Sequence, residues 1–135
     1  MNSEIFLLDT SSWVFFFRRG KDTHTLKTQR MVEELEKRGR VMTCGIILAE
    51  LIQGLGSSKK EIKIRRMLEK HECFETSKEI YILAGELSRN LADKGFKTPL
   101  SDCLIAAITL VYGVTLVSDD PHFKRFIGLK LKFID

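Results

Sequence analysis

Cysteine and histidine are scarce in this chain and long apolar runs are missing, and each shortage removes a class of function. The 135 residues hold three cysteines, Cys44, Cys73 and Cys103. An odd number with no CxxC or Cys/His spacing argues against a disulfide framework and a zinc site. The three are expected to be small buried residues in a reducing cytoplasm. No window of about 18 or more uncharged apolar residues occurs, so no transmembrane helix is expected. Met1-Asn2-Ser3-Glu4 has neither a basic region nor a small-residue cleavage site, so it does not read as a signal peptide. GxGxxG and GxxxxGK[ST] are both missing, which disfavours nucleotide-cofactor enzymes. There is no internal repeat, low-complexity tract or linker.

What is present fits one domain, residues 1–135, with one core. Hydrophobic residues make up 44% and charged residues 30% of the chain, which argues against disorder. The net charge of +4 and a pI near 9.0 favour polyanions only modestly.

Short apolar runs alternate with amphipathic stretches. Ile5-Phe6-Leu7-Leu8 reads as a strand buried on both faces. It ends at Asp9-Thr10-Ser11-Ser12, a cluster suited to capping a helix. A helix is expected from about His24 to Arg38, ended by Gly39. Val41–Thr43 reads as a second strand, with Thr43 capping the helix 46–55. Gly54, Gly56, Ser57 and Ser58 mark a break before the basic helix 59–71. Cys73–Thr76 reads as a third strand. Thr76-Ser77-Lys78-Glu79 matches a capping box for a helix ending near Lys94-Gly95. Ser101 is expected to cap the helix 102–112, which Gly113 stops. Val114–Val117 is the clearest strand, and Leu131–Ile134 reads as an edge strand. This alternation implies an α/β fold with a parallel sheet covered on both faces, where ligands gather at the carboxyl ends of the strands.

Four acids fall on that rim. Asp9 ends the first strand, and Asp120 follows the strand 114–117. Asp102 opens a helix, where the macrodipole tolerates a carboxylate. Glu50 sits inside the apolar stretch Ile46–Ile52 and must face water, a partner or a metal, because an unpaired buried charge is costly. Converging carboxylates without basic partners repel one another, and a hard divalent cation such as Mg²⁺ resolves the repulsion. Such an ion lowers the pKa of a bound water and stabilises charge on a phosphoryl group, which points to a phosphodiester hydrolase. The competing reading is that each Asp is only a cap.

Four segments carry a family resemblance: Leu7-Leu8-Asp9-Thr10-Ser11, Ala49-Glu50-Leu51-Ile52-Gln53-Gly54, Ser101-Asp102-Cys103-Leu104-Ile105-Ala106-Ala107 and Leu116-Val117-Ser118-Asp119-Asp120-Pro121-His122-Phe123. Together, and in this order, they resemble the PIN-domain family, most closely its VapC-type toxins. The resemblance implies a three-layer α/β/α domain with a central, mainly parallel sheet. It implies a cytoplasmic Mg²⁺- or Mn²⁺-dependent endoribonuclease, usually a dimer, held in check by a small antitoxin protein. By position, Asp9, Glu50 and Asp102 match the first three family acids. Asp120 best matches the fourth, two residues after Ser118 and three before Phe123, and Asp119 is a second candidate for that role. Ser118 stands where the family often has Thr. Ser118, Thr10 and Ser11 are expected to orient the acids or a metal water. Asp9 and Asp102 are the expected direct ligands, with Glu50 and Asp120 in support.

Other features stay open between two readings. The segment 59–70 carries six basic residues against two acidic ones. It is either an RNA-backbone patch, with Lys63, Arg65 and Arg66, or a solvated face. Arg18 and Arg19 either steer RNA or receive an acidic group of an inhibitor. The aromatic run Trp13 and Phe15–Phe17 is expected to pack in the core or a dimer rather than to stack bases. His24, His71 and His122 are expected to be surface or loop residues. Two alternatives to a toxin remain: a PIN nuclease of RNA processing, and a non-catalytic domain that binds RNA or a partner.

Overall fold

The computed structural model describes residues 4–18, 20–54 and 58–134. In chain order the elements are β1 (Ile5–Leu8), α1 (Thr10–Phe17), α2 (Thr23–Arg38), β2 (Arg40–Cys44), α3 (Gly45–Gln53), α4 (Ser58–Glu69), β3 (Cys73–Phe74), α5 (Lys78–Asp93), α6 (Leu100–Tyr112), β4 (Thr115–Ser118) and β5 (Leu131–Phe133). A 3₁₀ turn, Pro121–Arg125, separates β4 from β5.

The strands form one sheet in the order β3-β2-β1-β4-β5, and every pairing is parallel. β1 lies at the centre, with Leu7 opposite Met42 on one side and Leu116 on the other. Phe6, Leu7 and Leu8 are consecutive and all fully buried. Successive strand side chains point to opposite faces, so this run requires cover on both faces. The five strands and their flanking helices give the three-layer α/β/α architecture.

The order reverses between β1 and β4. β1 feeds β2 on one side, and β4 returns to its other side. The carboxyl end of such a sheet opens a crevice at this switch point, where ligands bind. Asp9 leaves β1 there, its backbone N–H donating to the Val117 carbonyl of β4 at 3.1 Å. Gly39 joins α2 to β2 because the chain passes too close for a side chain. A Cβ there would lie 2.6 Å from the Glu4 carbonyl oxygen and 2.7 Å from the Phe6 ring. Gly113 ends α6 in the left-handed region, φ 66°, which glycine adopts without strain.

Several helix starts differ from expectation. Thr43 does not cap α3; it is a buried β2 residue, and the cap position falls to Cys44 without a side-chain bond. Ser101 is the second residue of α6, because Pro99 sets the extended geometry of the cap and the helix begins at Leu100. The capping box shifts by one: Ser77 is the cap, so Glu79 falls one position early to close the box. Trp13 is fully buried, with Phe17 stacked on it and Phe16 and His71 edge-on. His71 lies in the bend after α4, a loop residue as expected, but its side chain is only 6% exposed and meets Glu36 at 2.5 Å. Cys44 and Cys103 are buried, but Cys73 is exposed because it faces outward from the edge strand β3 while Phe74 turns in. The break residues Gly56 and Ser57 lie outside the described residues.

Candidate active site

α1 begins at the switch point because Asp9 caps it. The Asp9 Oδ1 accepts the Ser12 backbone N–H at 2.9 Å and the Ser12 hydroxyl at 2.6 Å. This is the usual capping geometry, in which a side chain satisfies an otherwise orphaned helix N–H. The Asp9 Oδ2 accepts the Ser11 hydroxyl at 2.9 Å and the Ser118 hydroxyl at 2.5 Å. Asp9 is only 3% exposed. Burial pushes its pKa upward, and the hydroxyls of Ser118 and Ser12, the Ser12 N–H and the Ser11 hydroxyl oppose the rise.

The other acids converge on the same place. A pocket of about 260 Å³ is lined by Asp9, Thr10, Ser11, Glu50, Asp102, Ile105, Asp120 and Phe123. Glu50 projects from α3 and accepts the Thr10 hydroxyl at 2.7 Å. That contact explains a carboxylate in an apolar helix: Glu50 lies beside the buried stripe of Ile47 and Leu51 and turns to the pocket. Asp102 lies in the first turn of α6. Its pKa is raised to about 6, first by burial and then by the charges of Asp120, Glu50 and Asp9, against a smaller lowering by His122. Asp120 follows β4, positioned by its N–H on the Ser118 hydroxyl at 3.0 Å. It accepts the His122 backbone N–H and contacts the His122 Nδ1, both at 2.9 Å.

Asp119 takes a different place. Its Oδ1 accepts from the Ser11 hydroxyl at 2.8 Å, and its Oδ2 meets the His24 Nε2 at 2.9 Å. It is not among the residues that line the pocket. The geometry thus brings together Asp9, Glu50, Asp102 and Asp120, with Thr10, Ser11 and Ser118 bonded to them.

No lysine or arginine lines the pocket among the described residues. Four carboxylates lining one pocket, with the His122 contact of Asp120 beside them, form an all-oxygen donor set, which suits a hard divalent cation. Among the described residues, no three His, Cys, Asp or Glu groups are drawn tightly enough to grip an ion without adjustment.

The basic residues lie apart from the acids. Lys63 and Arg66 line a separate groove of about 630 Å³ with Phe16, Phe17, Ile62 and Met67. Arg65 instead pairs with Glu61 one turn away, at 3.1 Å. Arg18 lies over the Phe15 ring at 4.5 Å. Arg19 lies outside the described residues. Two further residues contribute, Ser12 and His24. The Ser12 bond has a sequence signal, since a cap bonds the residue three positions on. The His24 bond has none, because nothing in its spacing from Asp119 marks a pair 95 positions apart.

The PIN domain sequence profile matches residues 6–129. Ribonuclease VapC2 of Rickettsia felis is 30% identical over 133 residues, covering 95% of this chain and 96% of that protein. Ribonuclease VapC11 of Mycobacterium tuberculosis is 25% identical over 119 residues, 87% of each chain. The solved structure of VapBC2 from Rickettsia felis, bound to a DNA fragment from its promoter, contains a similar chain. Its TM-score is 0.79 at 26% identity, covering 97% of this chain and 99% of that one. With the sheet order, the acid pocket and these likenesses agreeing, the chain belongs to the PIN-domain family, on its VapC-type branch.

Proposed function

We propose that this protein is a Mg²⁺- or Mn²⁺-dependent endoribonuclease and the toxin of a toxin–antitoxin pair. The observation that carries the reading is the pocket at the β1/β4 switch point, where Asp9, Glu50, Asp102 and Asp120 meet and, among the described residues, no lysine or arginine lines the wall. The ribonuclease names of its relatives and the VapBC complex among its structural neighbours support RNA as the substrate and a small antitoxin as the partner.

In this reading Asp9 and Asp102 would hold the ion, with Glu50 and Asp120 in support. The bound ion supplies charge stabilisation at the phosphoryl oxygens and a water of lowered pKa. The chain's own residues do the rest. Ser12 and Ser118 fix the Asp9 carboxylate, Thr10 fixes Glu50, and the Ser118 hydroxyl sets the backbone of Asp120. Asp120 rather than Asp119 is taken as the fourth acid, because Asp120 lines the pocket while Asp119 turns to Ser11 and His24 outside it. Ile105 and Phe123 provide an apolar wall that strengthens the interactions beside it. Residues 1–135 act as one domain, cytoplasmic and dimeric. Among the described residues no helix is long and apolar enough to cross a membrane.

The test is host-wide mapping of RNA ends after inducing wild type beside Asp9→Asn. New ends that appear with wild type and not with the variant support the reading; identical maps overturn it.

A further inference from the structure

We propose that His24 and Asp119 are positioning residues that take the Ser11 hydroxyl away from Asp9 when Asp9 binds its cation. The inference rests on the reading that Asp9 is a direct ligand.

A carboxylate offers about four lone-pair positions. On Asp9 all four are in use: Ser12 N–H and Ser12 hydroxyl on Oδ1, Ser11 and Ser118 hydroxyls on Oδ2. Direct coordination requires one donor to leave. The Ser12 N–H is fixed by the helix. The Ser118 hydroxyl makes the shortest contact, and its oxygen is held by the Asp120 N–H. The Ser12 hydroxyl has the Val117 carbonyl as a second acceptor, but at 3.2 Å. Ser11 alone has a second acceptor as near as the first: Asp119 Oδ1 at 2.8 Å against Asp9 Oδ2 at 2.9 Å. A serine hydroxyl has one proton and donates to one of them at a time.

Asp119 is placed for that exchange by His24. Its Oδ2 is bonded to the His24 Nε2 at 2.9 Å, which leaves Oδ1 aimed at Ser11. His24 is itself seated edge-on against Phe15, with ring centroids 4.5 Å apart. This arrangement accounts for a fifth carboxylate beside the pocket that does not line it. The Ser11 hydroxyl turns its proton from Asp9 to Asp119, Asp9 Oδ2 opens toward the cation, and the part-buried hydroxyl keeps a charged acceptor.

The expected effect has a sign opposite to that of simple Coulomb attraction. Removing a residue able to carry positive charge near the pocket should, by charge alone, tighten cation binding. Here it should weaken it, because Asp119 loses its anchor and Ser11 stays on Asp9.

Mn²⁺ binding to the purified full chain, read by electron paramagnetic resonance of the free ion, tests this without substrate. His24→Phe keeps a ring against Phe15 but has no donor; it should weaken Mn²⁺ binding about tenfold, the scale of one charge-assisted hydrogen bond. His24→Gln keeps a donor and should stay within about threefold of wild type. In a Ser11→Ala background there is no hydroxyl to move, so His24→Phe should change nothing. Unchanged or tighter binding by His24→Phe overturns the proposal, as does an equal weakening in the Ser11→Ala background. If instead Asp9→Asn binds Mn²⁺ as wild type does, the assignment of Asp9 as ligand fails first, and the two failures are distinguishable.

Discussion

Thr10 and Glu50, forty positions apart in sequence, meet through a 2.7 Å hydrogen bond from the threonine hydroxyl to the glutamate Oε1. The bond ties the first residue of α1 to the sixth of α3 and fixes one wall of the acid pocket. Thr10→Val should lower cleavage by about tenfold, since a hydrogen bond to a charged group is worth roughly 1.5–3 kcal/mol. Thr10→Ser should retain most activity. Single-turnover cleavage of one RNA by the three proteins checks this, with thermal melting to establish that the fold is intact.

The raised pKa of Asp102 carries a stability signature. Its folded value of about 6 lies above the ordinary aspartate value of 3.8. A group raised on folding contributes stability that is fully present below the unfolded pKa and lost as pH rises through the folded one. The Asp102 contribution in metal-free protein therefore declines between about pH 4 and pH 6, and the raised pKa of Asp9 acts in the same direction. Melting in EDTA should show wild type losing more stability than Asp102→Asn between about pH 4 and pH 6. Mn²⁺ should reverse the trend, stabilising wild type more at the higher pH, because the ligand is the ionised carboxylate. Parallel pH profiles for the two proteins in EDTA would contradict this.

Gly39 makes a prediction about the fold alone. Gly39→Ala would drive a methyl into the Glu4 carbonyl and the Phe6 ring, at the start of the central strand. A destabilisation of about 1–3 kcal/mol is expected, typical of overpacking. Urea unfolding with an unchanged slope and a lower midpoint checks it. Gly45, where nothing lies within 4 Å of an added Cβ, supplies the control.

The parts of this molecule that are local are legible in its sequence. Strand β1 is visible as four consecutive apolar residues, and β4, α2 and α5 follow from period and punctuation. The acids Asp9 and Asp120 are visible as a pair because parallel strands end on one rim. The exact start of each helix is less legible. Pro99 takes the cap position from Ser101, and Thr43 is claimed by the sheet, so tertiary burial overrides local capping preference. The choice between Asp119 and Asp120 is open in sequence because it depends on which way each side chain turns. His24, on a different element, draws Asp119 aside. No one-dimensional pattern records such a contact.

The basic helix α4 separates into two kinds of residue that composition could not distinguish. Lys63 and Arg66 face the aromatic groove, whereas Arg65 is paired with Glu61. If the groove tracks RNA, Lys63→Glu with Arg66→Glu should make the salt dependence of RNA affinity shallower. The slope should fall by about 0.7 for each phosphate no longer neutralised. Arg65→Glu should change it less. RNA-binding titrations across a range of salt, made with an uncleavable substrate, measure both. An unchanged slope for the double variant would assign the groove to something other than RNA.

The proposed function makes Asp9, Glu50, Asp102 and Asp120 one cation site at which RNA is cut. Single-turnover RNA cleavage as a function of Mn²⁺ concentration, for wild type and Asp102→Asn, tests it most directly. Wild type should show saturable, EDTA-sensitive cleavage. The variant should be slower by at least about a hundredfold, the scale of removing a group that stabilises transition-state charge. Cleavage that persists in EDTA, or equal Mn²⁺ curves for the two proteins, would contradict it.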